Sequence, residues 1–449
     1  MVDAQPVSEM RAVSSLALLY MFRMMGLFMV FPVMTLYGMA YTDATAFRLG
    51  LAIGAYGLSQ ALCQIPFGLL SDFWGRKPVI FIGLIIMVVG SLVAALADSV
   101  WGLILGRALQ GIGAVGSVIM ALVGDLTSDQ NRTRAMAVIG ASIGVSFVLA
   151  MILGSTLAAA AGLSSLFWTT GAMSIIGMFI LLRMVPTPIT QERGKDAIAV
   201  PAMLGKALAN AELLRLNYGI FSLHFILSAL FLALPMAMEH AGMLPGQHWH
   251  LYAPVLVLAF IAMLPFMYLA ERKRKIKGVM LAAIACLALG AALLTQAGTT
   301  WLSWALGLFI FFTAFCLLEA TLPSLMSKQA PAGSKGTAMG VFSTCQFLGI
   351  SGGGAIGGYL LQQFGVQTVF LLCGGLAVSW MAIAIFMHKP VFLTSLSLPH
   401  TQPLDLPQLR NTVAGVNEAF WVKEQNLLHL KVDEKIFDRH QLDQFLATH

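Results

Sequence analysis

The sequence stretch that decides the fold is GLLSDFWGRK, residues 68–77, which stands between two long apolar segments. These segments are predicted to span 47–70 and 78–97, and about 20 apolar residues suffice to cross the hydrocarbon core of a bilayer as a helix. So short a connection makes the two helices antiparallel neighbours. Gly75 supplies the permissive backbone dihedrals that such a turn requires. The stretch is therefore predicted to be a polar turn between the second and third membrane helices.

The charged residues of this turn form a predicted cluster. Asp72 and Arg76 are four positions apart and can pair across the turn, and Lys77 adds a second positive charge. Asp125 ends the fourth apolar segment on the same side of the membrane and is a third candidate for the cluster. An exposed ion pair contributes only about 0–1 kcal/mol, but partial burial makes it larger, and a conformational equilibrium needs only a few kcal/mol to shift. The alternative is a basic loop that serves only to orient the chain during insertion.

The composition requires lipid as the surrounding solvent. The chain is 58% hydrophobic and 10% charged, with a mean hydropathy of +0.84. Soluble domains average about 25% charged residues, and one globular core cannot hide so much apolar surface. The apolar runs do not alternate every second residue, which argues against a barrel. The net charge of +6 does not indicate nucleic acid, because the positive residues gather in alternate connections of the chain.

Twelve apolar runs predict twelve membrane helices in two six-helix halves. The predicted spans are 14–40, 47–70, 78–97, 101–125, 134–158, 165–186, 213–239, 250–270, 278–297, 301–326, 336–361 and 366–388. Lys and Arg cluster in every second connection, and Arg48 is the clear exception. This positive-inside pattern predicts an inner-membrane, multi-pass protein with both termini in the cytoplasm.

The chain divides into four predicted regions. An N-terminal half at 14–186 and a C-terminal half at 213–388 are joined by a cytoplasmic linker at 187–212, and a polar region follows at 389–449. Weak internal similarity relates the halves, since the Pro-Phe pair at 66–67 that leads into the basic turn has a counterpart at 265–266. Duplicated halves around a site at the bilayer midplane are an architecture of transporters.

Residues 389–449 are predicted to form a small cytoplasmic α+β domain. Apolar residues recur at helical spacing around Leu409, and Leu428, Leu430 and Val432 alternate as in a strand. Asp438 with Gln441 predicts a capping box at the start of a last helix. The order β-α-β-β-α indicates a ferredoxin-like module that lacks a strong final strand.

Two motifs carry a resemblance to the major facilitator superfamily. Gly68-x-x-x-Asp72-x-x-Gly75-Arg76-Lys77 resembles the signature loop of that family, and Arg107-x-x-Gln110-Gly111-x-Gly113 resembles its fourth-helix motif. The resemblance covers residues 14–388 and implies proton-driven transport, with drug or metabolite efflux the usual activity. In the family, an equivalent trio links helices 2 and 4 and braces the N-half against helix 11, which favours the outward-facing state. Phe73 departs from the pattern, because a basic residue usually follows the Asp.

Charges inside the membrane are costly, so each predicted one is a candidate functional residue. Arg107 matches the family motif that is associated with proton coupling. Glu319 is a candidate proton carrier or substrate contact, or it is simply solvated. His224 titrates in a useful range, yet a satisfied interior histidine explains it equally well. Arg23 either contacts an anionic substrate or extends to the membrane surface.

Glycines in the eleventh span predict close helix packing, and a missing proline in the fifth span concerns the direction of transport. Gly353, Gly354, Gly357 and Gly358 give overlapping GxxxG spacings in the eleventh span, which favour close helix packing over a hinge. The fifth span reads AMILGS at residues 150–155, without the Gly-Pro and Gly-Gly pattern that marks antiporters of the family. The direction of transport therefore stays open.

No cofactor, metal or nucleic acid is predicted. The five cysteines stand singly in apolar runs, and the pattern Gly111-x-Gly113-x-x-Gly116 lies in an apolar span with no preceding strand, so it fails the test for a dinucleotide site. The predicted partners are a small-molecule substrate, protons and the lipid bilayer, with a regulatory ligand or protein for the C-terminal domain. Proton-coupled efflux of drug-like or amphipathic metabolites is the leading hypothesis. A metabolite importer and a membrane sensor that signals through the tail are the alternatives, and an enzyme is the least favoured.

Overall fold

The computed structural model describes residues 9–113, 115–187, 205, 208–330, 335–388, 394–399, 404–422, 427–433 and 436–448. Most of the predicted linker at 187–212 therefore lies outside the described residues. The first half contains α1 Glu9–Phe28, α2 Met34–Gly38, α3 Ala46–Trp74, α4 Arg76–Ala95, α5 Val100–Ile112, α6 Gly116–Asp125, α7 Asp129–Ala161 and α8 Ser164–Arg183. The second half contains α9 Ala211–His240, α10 Trp249–Glu271, α11 Ile276–Thr295, α12 Trp301–Gln329, α13 Lys335–Phe364 and α14 Val366–Ile385.

The described helices account for the predicted twelve spans. Among the described residues, ten segments are long and apolar enough to cross a membrane. The two remaining long helices, α3 and α13, have 29 and 30 residues but contain no 18-residue stretch that is as apolar. At about 1.5 Å per residue each still exceeds the roughly 30 Å of the hydrocarbon core. The predicted fold class is confirmed.

Two predicted spans are interrupted in the structure. The first span was expected to be continuous over 14–40, but α1 ends at Phe28 and the short α2 begins at Met34. The fourth was expected to be continuous over 101–125, but α5 ends at Ile112 and α6 begins at Gly116. At the second break, an added Cβ at Gly113 would stand 2.6 Å from the carbonyl oxygen of Gly83. Hydropathy describes one segment at a time. It therefore cannot predict a break that accompanies a close backbone contact with another helix.

The two halves meet through α3 and α13 at one membrane face. We call the face with the α3–α4 turn at Gly75 the linker face, because Thr187 beside the linker lies 3.5 Å from Lys77 of that turn. The other face is called the opposite face. Near the opposite face, an added Cβ at Gly50 of α3 would stand 2.2 Å from the carbonyl oxygen of Gly354 in α13. The backbone N–H of Phe47 donates to Oε1 of Gln362 at 3.1 Å. The halves are therefore closed together at the opposite face.

The helix ends stand farther apart towards the linker face. An added Cβ at Gly140 of α7, or at Gly336 or Gly340 of α13, would have nothing within 4 Å. Glu319, in the middle of α12, keeps a side chain that is 31% exposed. The close packing of α13 thus ends before the linker face, where Glu319 keeps its partial exposure, and we interpret this as an interior that opens towards the linker face.

Phenylalanines fill the centre between the halves. The ring of Phe147 in α7 lies 4.9 Å from that of Phe28 and 6.1 Å from that of Phe315 in α12. Phe31 stacks on Phe231 of α9 at 5.8 Å between ring centroids. Aromatic pairs at these distances contribute about 0.5–1.5 kcal/mol beyond their burial. This aromatic cluster joins both halves at the centre of the bundle.

The polar tail forms the predicted β-α-β-β-α unit. Its elements are β1 Thr394–Pro399, α15 Leu406–Thr412, β2 Val416–Val422, β3 Leu427–Val432 and α16 Arg439–Thr448. The described strands lie in the order β1-β3-β2, and both pairings are antiparallel. The alternation at Leu428, Leu430 and Val432 is confirmed, since all three side chains are buried under the two helices.

The capping box predicted for the last helix is only half formed. Asp438 Oδ1 accepts hydrogen bonds from the backbone N–H groups of His440 and Gln441, at 2.9 and 3.2 Å. The side chain of Gln441 does not reach back to Asp438 but accepts from the N–H of Ala414 at 3.0 Å. The Asp438 N–H donates instead to the carbonyl of Ala414. A tertiary contact has therefore replaced the local one.

Candidate transport site and linker-face charge cluster

The turn that opens the sequence is built on one glycine. Gly75 caps both the end of α3 and the start of α4. Its φ is +93° and its ψ is 152°, a backbone conformation that residues other than glycine rarely adopt. Gly68 plays a different part, because an added Cβ there would meet only Ser117 Oγ, at an ordinary 3.9 Å. The tight turn therefore requires Gly75, whereas this conformation has room for a larger residue at position 68.

The linker-face charge cluster is Asp72, Arg76 and Asp125, and Arg76 stands at its centre. The guanidinium forms an ion pair with Asp72, and its Nε lies 3.0 Å from Asp125 Oδ2 at the end of α6. Its Nη1 also donates to Ser71 Oγ at 2.7 Å. The side chains of Asp72, Arg76 and Asp125 are 17%, 18% and 30% exposed. Sequence reasoning missed Ser71, which no charge or glycine pattern marks.

The second half repeats this scheme with different charges. Glu271, at the end of α10, lies 2.5 Å from Lys328 Nζ at the end of α12, and accepts from Ser324 Oγ at 2.8 Å. The carboxylate here belongs to the turn and the cation to the distant helix, the reverse of Arg76 with Asp125. Both clusters tie a turn to the helix two spans later.

A second pair of equivalent contacts fixes the same two turns. Lys77 Nζ donates to the carbonyl of Val185 at 2.8 Å, and Lys277 Nζ donates to that of Ile385 at 2.7 Å. Each lysine thus binds a carbonyl at or just beyond the C-terminus of the sixth helix of its own half, where backbone carbonyls lack helical partners. Lysines near a helix C-terminus are also favoured by the helix dipole. The two halves therefore make equivalent contacts at these turns, although their sequences are only weakly similar.

Three helices bring polar side chains together at the centre of the second half. His224 Nε2 of α9 lies 3.6 Å from Glu319 Oε2 of α12. Gln346 of α13 bridges them, since its Nε2 lies 2.8 Å from His224 Nε2 and 3.4 Å from Glu319 Oε1. The His224 side chain is only 2% exposed. Two predicted residues therefore form one site, and Gln346 is the member that sequence reasoning missed.

Arg23 of α1 is buried without a regular hydrogen bond. It is 3% exposed, and among the described residues none makes a hydrogen bond to its Nε, Nη1 or Nη2. Its guanidinium carbon lies 5.8 Å from the centroid of the Tyr20 ring. The Tyr20 side chain lies within hydrogen-bonding and electrostatic range of Arg23 and within electrostatic range of Glu319. The side chain does not extend to the membrane surface, so that alternative for Arg23 is wrong.

Arg107 of α5 lies inside the first half, fully buried. Its Nη1 donates to Gln110 Oε1 at 2.8 Å, and Gln110 in turn donates to Ser91 Oγ at 2.8 Å. The guanidinium stacks over the ring of Tyr56, 4.4 Å from its centroid. A cation over a desolvated aromatic face contributes about 2 kcal/mol or more. Arg107 thus belongs to a polar network among α3, α4 and α5.

The glycines of α13 serve two interfaces. An added Cβ at Gly353 would stand 2.2 Å from the carbonyl oxygen of Phe225 in α9, and one at Gly357 would stand 2.9 Å from Ala229. Gly354 and Gly358 instead face α3, where the nearest atoms are backbone at 2.6 and 2.7 Å. Absence of side chains lets α13 pack closely against α9 and α3 at once.

No metal cluster lies among the described residues, where no group of three or more His, Cys, Asp and Glu side chains could hold an ion. His248 is buried and its Nε2 contacts the carbonyl oxygen of Met243 at 3.2 Å.

Two repeated helical halves that enclose a polar centre within an apolar bundle define a membrane transporter. A sequence profile for the Major Facilitator Superfamily matches residues 16–354, and the chain belongs to that family of transporters, which are not enzymes. The resemblance carried by the two motifs is confirmed.

Individual relatives agree with this assignment. The chain is 42% identical over 442 residues to the inner membrane transport protein YajR of Escherichia coli K12, with 97% of each chain covered, and it is a multi-pass inner-membrane protein. It is 33% identical over 137 residues to the class C tetracycline resistance protein of Escherichia coli, covering 30% of this chain and 35% of that one. The fold also matches a bacterial homologue of the human lysosomal transporter Spinster, crystallised inward-facing and occupied, with a TM-score of 0.70 and 16% identity over 86% of this chain and 98% of that chain.

Proposed function

We propose that this protein is a proton-coupled secondary transporter that works by alternating access. The observation that carries the proposal is the site formed by Glu319, His224 and Gln346. The Glu319 side chain is 31% exposed, whereas the His224 side chain is only 2% exposed. The two lie 3.6 Å apart on different helices. A carboxylate and an imidazole in contact inside a membrane are suited to take up and release a proton. Movement of α12 against α9 would change which face reaches them.

The closed opposite face supports the alternating-access part of the proposal. Contacts between α3 and α13 lie at that face, and the interior is accessible from the other. The linker face carries exposed positive residues such as Arg183 and Arg272, so we assign it to the cytoplasm by the positive-inside rule. The chain would then face inward, with both termini in the cytoplasm.

The linker-face charge cluster is the proposed conformational switch. Arg76 ties the α3–α4 turn to the end of α6 through Asp125. The trio is therefore formed in an arrangement that is open at the linker face, whereas the family resemblance implies that it favours the outward-facing state. Partial burial gives such contacts more weight than the roughly 0–1 kcal/mol of a surface pair. Gly75 sets the backbone geometry of the turn, and Lys77 ties the turn to the carbonyl of Val185.

For the direction we propose efflux of drug-like or amphipathic compounds. The partial similarity to a tetracycline resistance protein supports export. The aromatic cluster around Phe147 offers an apolar surface to such compounds. An importer on the same fold, and a sensor that signals through the tail, are the alternatives that flux measurements separate.

Double electron–electron resonance tests proton coupling without knowledge of the substrate. Spin labels at Thr42 and Gln363, both exposed on the opposite face, would report its closure in a background without the native cysteines. We expect the distance distribution to change between pH 5.5 and 8 in otherwise unmodified protein and to lose that change in Glu319→Gln. Glu239→Gln, an exposed carboxylate at the end of α9, is the matched control. Unchanged pH dependence in Glu319→Gln would remove this site from proton coupling.

A further inference from the structure

We propose that Arg23 and the first turn of α6 bind the anionic group of the substrate, which makes the substrate an amphipathic organic anion. This inference rests on the transport function proposed above and names its substrate class. Sequence alone left open whether Arg23 contacts an anion or extends to the surface.

The first observation is the buried charge of Arg23. Its side chain is 3% exposed, and none of its three nitrogens makes a hydrogen bond of regular geometry to a described residue, the Tyr20 side chain being its polar neighbour. An arginine cannot shed its proton in a protein, and a buried charge is strongly unfavourable unless it is paired and hydrogen-bonded. The five N–H groups of a guanidinium form a planar fork that suits carboxylate, sulfonate or phosphate oxygens. The side chain is therefore arranged for a partner that arrives from outside the chain.

The second observation is the break in the fourth span. The ten-residue α6 begins at Gly116, so its first N–H groups have no partner within the helix. Arg23 Nη1 lies 3.0 Å from the position that a Cβ at Gly116 would occupy. The guanidinium therefore stands at the positive end of a helix dipole, which repels a cation and attracts an anion. Discontinuous membrane helices use their inner N-termini in this way to bind anionic substrates.

The two nearest carboxylates make their described contacts with other residues. Glu319 Oε1 accepts from Gln346, and Oε2 lies 3.6 Å from His224 Nε2 without a hydrogen-bond partner among the described residues. Asp125 at the far end of α6 pairs with Arg76. The Arg23 guanidinium and the N-terminus of α6 are thus two adjacent positive groups in the first half. The candidate proton carriers, Glu319 and His224, lie in the second half.

The apolar part of the substrate is assigned to the aromatic cluster. Phe28 follows Arg23 by five residues on α1, which corresponds to about 7.5 Å along the helix axis. Its ring contacts Phe147, which in turn contacts Phe315 beside His224. A ligand with an acidic group and a flat apolar body about one or two rings long matches that spacing.

Matched ligands test the charge requirement. Isothermal titration calorimetry on the full chain in nanodiscs would compare naphthalene-2-carboxylate with naphthalene-2-carboxamide, which differ in charge but hardly in shape. We expect the carboxylate to bind the unaltered protein at least about tenfold more tightly, as a charge-assisted contact predicts. Arg23→Gln should bind both ligands equally, Arg23→Lys should keep part of the preference, and Arg183→Gln, at an exposed arginine, should keep all of it.

Thermal unfolding without ligand is the second measurement. A charge without a partner destabilises the empty protein, so Arg23→Gln should raise its melting temperature by a few degrees. A lower melting temperature would mean that Arg23 is a structural ion partner and would overturn the proposal. Equal binding of the two ligands by the unaltered protein, or binding of neither, would also overturn it.

Glu319→Gln separates this inference from the proposed proton coupling. It should keep the preference for the carboxylate while losing the pH-dependent change at the opposite face. Loss of the preference in Glu319→Gln would show that binding of the anionic ligand depends on the Glu319 side chain, and it would overturn the inference. If instead the unaltered protein shows the anion preference but no pH-dependent change, proton coupling fails and the anion site stands.

Discussion

Single residues at the α3–α4 turn have separable roles. Gly75 holds a φ of +93°, and Gly68 has open space at its Cβ position. Gly75→Ala should therefore destabilise the protein by about 1–3 kcal/mol, the usual cost of a strained backbone conformation. Gly68→Ala should change stability little, because a Cβ there makes only an ordinary contact. Denaturant unfolding of the two purified variants measures this, and equal losses would mean that the turn is not set by Gly75.

Arg76 is the residue on which the linker-face charge cluster depends. Arg76→Ala removes the contacts to Asp72, Asp125 and Ser71 together, so it should lower transport several-fold while membrane insertion stays normal. Loss of about 1–2 kcal/mol of partly buried ion pairing shifts a conformational equilibrium roughly five- to thirtyfold. Flux of any substrate found by ligand-dependent thermal shifts, measured in proteoliposomes with quantified insertion, tests the expectation.

The matched control for that variant is Arg272→Ala, which removes an exposed positive charge from the equivalent turn of the second half. It should leave flux near normal. Flux at the unaltered level in Arg76→Ala would refute the switching role of the cluster.

At the scale of helices, the packing of α13 against α3 determines closure at the opposite face. A Cβ at Gly354 would stand within 2.6 Å of the Gly50 carbonyl oxygen, whereas one at Gly340 of the same helix meets nothing. Gly354→Ala should therefore lengthen the distance between labels at Thr42 and Gln363, because backbone contacts so close cannot accommodate a methyl group. Gly340→Ala should leave that distance unchanged. An unaltered distance in Gly354→Ala would show that closure of the opposite face does not depend on the contact between Gly354 and Gly50.

At the scale of the whole molecule, the tail domain contacts the transport body. Lys431 of β3 is 3% exposed, and its Nζ donates to the carbonyl of Lys328 at 2.8 Å, next to the Glu271–Lys328 pair. Lys431→Gln should weaken this docking, speed proteolytic release of the tail and change transport, as a regulatory tail requires. Lys423→Gln, at a neighbouring lysine in sequence, is the control. If neither this variant nor removal of residues 389–449 alters flux, the tail does not regulate transport.

Predictions from the sequence succeeded where local chemistry decides the outcome. The membrane helices follow from runs of apolar residues, and the turn follows from Gly75 and the charges around it. The Asp72–Arg76 spacing was sufficient to predict that the two side chains would meet. The contact of Arg76 with Asp125, 49 residues later, could be expected only because alternating helices return both residues to one face.

Contacts between distant helices lay beyond such reasoning. Ser71 and Gln346 carry no pattern that distinguishes them from other polar residues. The capping box failed at Gln441 because a tertiary partner, Ala414, competes for its side chain. The break before Gly116 arises where two backbones approach closely, which no property of one helix predicts.

The sequence by itself therefore determined the lipid environment, the two repeated halves, the polar turn at residues 68–77 and the architecture of the tail. These depend on composition, periodicity and local backbone preference, which act over a few residues. The tertiary structure alone decided which intramembrane charges share a site: Glu319 with His224 and Gln346, Arg107 within its own polar network, and Arg23 at the start of α6. The physical reason is that charge pairing and desolvation depend on distance in space, which packing between helices sets.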